Sequence, residues 1–144
     1  MHPVITPPDP PTLEAVLEAL RSPDREARLW GVDMVSQLIY DHPRIDRTLE
    51  AILAMSRAPD RLIQMSAAHA LGVFRGNAGA GRGLVAMLEE AGEDRGLRLV
   101  IIKAMGAKKD PLTLPALRPL LRDSTHCIRV AATRAVEAIE AESY

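Results

Sequence analysis

Apolar residues recur at intervals of three and four along most of the chain. Leu13, Val16, Leu17 and Leu20 make one stripe, and Leu29, Val32, Val35, Leu38 and Ile39 make the next. This is the period of an α-helix with one buried face. It persists to the C-terminus, and no segment alternates cleanly at two. Breaks fall at Ser22-Pro23-Asp24, Asp41-His42-Pro43, Ala58-Pro59-Asp60, Gly76 to Gly83, Gly92-Glu93-Asp94, Lys108 to Pro111 and Asp123-Ser124. Each holds a proline, a glycine or a short polar acceptor for the orphan N–H groups of a helix start. The pattern predicts eight helices at roughly 12–21, 24–40, 44–57, 60–75, 82–91, 94–107, 112–122 and 125–141. Residues 1–11 stand apart, because Pro3, Pro7, Pro8, Pro10 and Pro11 fix φ and remove donors. We read them as an extended or disordered arm.

Short and longer helices alternate, which suggests a repeat. With Arg28, Gln64, Arg98 and Arg129 in one column, the longer helices align. Four residues earlier stand Asp24, Asp60, Asp94 and Thr125. Six residues later stand Met34, Ala70, Ala104 and Ala135. Seven later stand Val35, Leu71, Met105 and Val136, and eight later Gly72 and Gly106 supply two of the four. Each longer helix thus offers a similar packing face, with small residues where a neighbouring backbone can approach. The units run about 12–43, 44–78, 79–109 and 110–144. In the Asp/Arg column, Asp complements a helix dipole, and Arg one turn later can reach a neighbouring unit's carboxylate or a loop carbonyl. We assign these residues a structural role.

The columns resemble HEAT repeats, specifically the short HEAT-like repeats of the phycobilisome lyase type. Asp110-Pro111 through Ile139 matches best: DPLTLPALRPLLRD gives a first helix, and STHCIRVAATRAVEAI a second with Arg followed by Ala-Ala. DRLIQMSAAHALGVFRG at 60–76 carries Gln64 in place of the family's Arg, and 94–107 has Ile101-Ile102 in place of Ala-Ala. The first unit is the most divergent, with Gly31 in an alanine column beside Trp30. The resemblance implies an all-α, right-handed superhelix of about four helical hairpins, with the second helices lining a concave groove. Pro119 is expected to kink the last short helix and Pro115 to sit in its first turn.

Composition narrows the function. The formal net charge is −1 and aromatics make up 3% of the chain, which removes the usual basis for nucleic-acid or anionic-membrane binding. No run of about 18 apolar residues exists, and the N-terminal residues contain no apolar signal core. The lone Cys127 fits a reducing compartment, so we expect a cytoplasmic protein. Cys127 reads as a small buried hydrophobe, and its neighbour His126 points elsewhere on a helix. His2, His42, His69 and His126 show no metal-ligand spacing, so no metal or cofactor is expected. The glycine-rich stretch 76–83 lacks a P-loop ending and reads as a flexible inter-unit loop, able to hinge units 1–2 against 3–4.

Five residues after the aligning column, Asp33, His69, Lys103 and Arg134 run from acidic to basic. Trp30 and Gln37 flank the acidic end. A graded stripe with one large aromatic suits binding of a partner with opposite polarity. The plain alternative for Trp30 is packing on the proline-rich arm. We therefore expect a non-catalytic adaptor or scaffold that binds another protein through Trp30, Asp33, Gln37, His69, Lys103 and Arg134. The resemblance also implies an alternative role on a bilin-carrying protein. A third reading compares Trp30 and Asp33 with the aromatic and Asp of HEAT-like DNA glycosylases, against which the charge and the single Trp weigh. The end faces of a short array keep apolar stripes, which leaves self-association open.

Overall fold

A computed structural model describes residues 12–38, 45–74 and 77–141, without the side chains of residues 36, 37, 45 and 46. The arm expected at 1–11, the break at 41–43 and the side chain of Gln37 lie outside this set. Among the described residues every regular element is a helix. The α-helices are α1 (Leu13–Leu20), α2 (Arg25–Leu38), α3 (Leu49–Met55), α4 (Arg61–Gly72), α5 (Ala78–Glu90), α6 (Arg95–Lys108), α7 (Leu114–Leu117) and α8 (His126–Ala141). Short polar acceptors start four of them. Thr12, Asp60, Asn77 and Asp94 each accept an N–H from the first turn, at 3.0–3.3 Å.

The helices form two layers. In one, α2 packs against α4, α4 against α6, and α6 against α8. In the other, α1 touches α3, α3 touches α5, and α5 touches the segment that leads into α7. Each first helix also packs across onto its own second helix. The aligned columns explain why. Gly31, Ala67, Ile101 and Ala132 are buried at one position of the four long helices, and Val35, Leu71, Met105 and Val136 at another. The core between the layers is aliphatic, with Ile52, Ile63, Leu84, Leu117 and Ile128 fully covered.

Small residues set how closely the long helices approach. A methyl at Gly72 would lie 3.0 Å from the Cα and carbonyl oxygen of Ala104, and one at Gly106 3.1 Å from the Cα of Ala135. The same pair of columns therefore meets at both joints. Gly31 plays a different part: a methyl there would press on Leu20 and Ala19 of α1 at 3.1–3.2 Å, so this glycine seats the first helix of its own unit. The last helix breaks the pattern on its outer side. Thr133 and Glu137 are exposed where the inner units bury Ala68 and Ile102, and Gly72 and Gly106.

Two expectations about the shorter helices change. Residues 78–83, expected within a flexible loop, are the first turns of α5, whose start is Ala78 and not residue 82. Packing overrides the poor propensity of glycine here. Asn77 caps the helix. A methyl at Gly83 would lie 2.5 Å from Leu53 Cδ2, and one at Gly81 2.6 Å from Asp110 Oδ2, so these glycines let α5 sit against its neighbours. A hinge inside 78–83 has no support in this packing. The single helix expected at 112–122 is instead a 3-10 turn at Pro111–Thr113, then α7, then a 3-10 segment at Arg118–Arg122. Pro115 falls in the first turn of α7 and Pro119 in the first turn of the 3-10 segment, where the missing N–H is tolerated. No helix among the described residues is long and apolar enough to cross a membrane.

Candidate interaction face

The loops that start the long helices are held by a repeated set of polar contacts. Arg28 donates to the carbonyl oxygens of Ser22 and Pro23, Gln64 to that of Ala58, and Arg129 to that of Asp123. In each case the acceptor includes the residue six positions back, so the column pins its own loop, and Gln64 does the work of an arginine. Within this column, and among the described residues, only Arg98 reaches the next unit, through the carboxylate of Asp123 at 3.1 Å.

Most of the inter-unit ion pairing joins the expected Asp column to arginines that stand outside the aligning column. Arg25 donates to Asp60 at 2.5 Å, and Arg61 to Asp94 at 2.7 and 3.0 Å. Each joins the first residue of one long helix to the capping carboxylate of the next. The signal was in the sequence: the dipeptide Asp-Arg recurs at 24–25, 60–61 and 94–95. At the fourth unit Thr125 replaces Asp, and Asp123 takes over, accepting from Thr125 N–H and from Arg98. The Arg25 hydrogen bond holds the Asp60 carboxyl below its ordinary range. The Arg61 hydrogen bond, with the Leu97 N–H behind it, brings Asp94 down to about 2. Asp123 is lowered first by the Thr125 N–H and then by Arg98.

Lys108 was missed. It stands ten residues after the aligning column, where the other units place Leu38, Phe74 and Ile139. Its side chain is buried, donates to the Phe74 carbonyl at 2.5 Å and lies 3.7 Å from Asp110 Oδ2. Burial pushes its ammonium below the ordinary lysine value. A charged residue in an apolar column gives no signal until the neighbouring helix end is known.

Asp33, His69, Lys103 and Arg134 are all exposed, each at the same position of four successively packed helices. Trp30 is half-buried and packs against the core. Cys127, expected to be buried, is only partly so, and it packs against the core from the rim while His126 is exposed. At the α6–α8 end the row borders a cleft of about 350 Å³, lined by Lys103 and Ala107 on one side and by Val130, Ala131, Arg134 and Ala138 on the other. Gly106 and Ala135, the close-approach pair, also line it. The structure thus brings Lys103 and Arg134 to one cleft, while Trp30, Asp33 and His69 lie on α2 and α4. Among the described residues no three His, Cys, Asp or Glu side chains gather as a metal site would need. Compared with known proteins, the chain matches no family model and no curated sequence.

Proposed function

We propose that the chain is a non-catalytic protein-interaction module. In this reading it is a short, right-handed solenoid of HEAT-like helix pairs that holds a partner protein along the face of α2, α4, α6 and α8. Recurrence of the Gly72–Ala104 contact as Gly106–Ala135 supports the repeat. The lone cysteine favours a cytoplasmic setting. One observation carries the functional reading: four charged or titratable residues stand exposed at one register on consecutive helices. Such a row gives a partner regularly spaced polar contacts, and Trp30 adds a large aromatic near its acidic end.

The test is affinity capture with the full chain, run beside Trp30→Ala and Arg134→Glu. A partner retained by the wild type is expected to be lost or weakened in both variants while the helical circular dichroism stays unchanged. Equal retention by both variants contradicts the use of this face.

A further inference from the structure

We propose that the cleft between α6 and α8 receives an acidic segment of a partner protein, with one aliphatic side chain seated between Lys103 and Arg134. This rests on the interaction-module reading and names the chemistry of its occupant. The cleft exists because of residue size. At the α4–α6 joint the matching positions carry His69, Val73, Leu99 and Val100; at the α6–α8 joint they carry Lys103, Ala107, Val130 and Ala131. Two alanines replace two valines, and a floor opens beside the close-approach pair. At about 350 Å³ it falls at the low end of ligand-site volumes, which suits a side chain or two of a polypeptide better than a large cofactor.

Charge decides which polypeptide. Among the described residues the lining holds two cations and no carboxylate. Among the described residues neither Lys103 nor Arg134 has an ion pair, whereas Arg25, Arg61 and Arg98 are each held by an aspartate. The one carboxylate one turn from Arg134 along α8, Glu137, lines an adjoining, wider-open recess of about 440 Å³ on the outer side of α8 with Thr133, and the two depressions share Val130 and Arg134. Arg134 borders both depressions, so its guanidinium can serve the inner one. Both cations can lay their methylene stems along the alanine floor and present their heads at its rim. A segment with an aliphatic residue flanked by Asp or Glu satisfies the floor and both heads at once, and a basic segment meets two like charges. The chain as a whole has a formal charge of −1, so the attraction is local and falls with salt.

The experiment is an amide-resolved NMR titration of the full chain at low salt with two capped peptides, Glu-Glu-Leu-Leu-Glu-Glu and Lys-Lys-Leu-Leu-Lys-Lys. The acidic peptide is expected to shift amides at 103–107 and 130–138. Its affinity should fall about tenfold on Arg134→Glu, and again in high salt. Ala131→Leu, which fills the floor and keeps both cations, should abolish the shifts. Equal binding of the basic peptide at the cleft, shifts confined to other helices, no shifts at all, or full affinity in Ala131→Leu would each overturn the assignment. If the assignment falls while Trp30→Ala still loses a captured partner, the interaction-module reading stands and only the cleft is removed from it.

Discussion

The three joints between the long helices share one plan and differ in how they carry it out. Between α2 and α4 an ion pair, Arg25 to Asp60, bridges the helix starts, but Ser36 stands in the column that holds Gly72 and Gly106 later, and among the described residues the packing is less extensive. Between α4 and α6 both devices are present: Arg61 pairs with Asp94, and Gly72 brings the backbone onto Ala104. Between α6 and α8 the glycine contact recurs, but the ladder's arginine, Arg95, faces a unit that has Thr125 in place of Asp. The ion pair moves to Arg98 and Asp123. The comparison separates two jobs. Small residues set how much surface two helices share. The ion pairs, mostly exposed, fix register and add little depth, because water screens them.

The largest effect should follow from spoiling the middle joint. Gly72→Val puts side-chain atoms into the Ala104 backbone and should cost about 3 kcal/mol or more, beyond any gain in helix propensity. Urea unfolding measures it, and a loss under about 1 kcal/mol would mean that the α4–α6 approach is looser than described. Lys108→Ala comes next. It removes the donor that the buried Phe74 carbonyl uses and leaves a void in a core column, at about 2–4 kcal/mol. A neutral result would place the ammonium in water.

A smaller and more specific effect tests the ladder. A methyl on Gly96 would collide with the Arg61 guanidinium, so Gly96→Ala should evict it from Asp94. The Asp94 carboxyl should then rise from about 2 toward its ordinary 3.8, readable by side-chain NMR titration. The sign for stability follows. A carboxyl whose folded value lies below its unfolded value favours the fold fully above the unfolded value and loses that contribution as pH falls through the folded one. The wild type should therefore weaken as acid is added from about pH 5 to 2, and Gly96→Ala should move the acid midpoint upward. An unmoved Asp94 titration would show that Arg61 is not what lowers it. The smallest effect is expected at the loop-pinning column. Arg129→Gln should change stability by less than about 0.5 kcal/mol, because Gln64 makes the same bond, whereas Arg129→Ala should cost about 1 kcal/mol.

Periodicity carried the helices and their register, since Leu13, Val35, Leu71 and Met105 each lie buried where a three-four stripe puts them. It failed where local preference and packing disagree. Gly79, Gly81 and Gly83 read as a loop because glycine weakens an isolated helix, and only Asp110 pressing on Gly81 and Leu53 on Gly83 make glycine the residue that fits at those two positions. The partners of Arg25 and Arg61 stand 35 and 33 residues away, a separation that becomes contact only once the long helices are packed side by side. The cleft was hidden for a similar reason. Its alanines are unremarkable singly, and the gap comes from two of them facing each other across a joint whose width Gly106 sets.

The central claim is that the long helices succeed one another in an open row, so that equal positions become evenly spaced places in space. Spin labels at pairs of positions 33, 69, 103 and 134, in a Cys127→Ser background, report this through dipolar distances. With each helix step at about 8–10 Å, the 33-to-69 distance should be shortest, 33-to-103 longer, and 33-to-134 about 25–30 Å. A 33-to-134 distance as short as that between 33 and 69 would mean a closed bundle and would contradict the account.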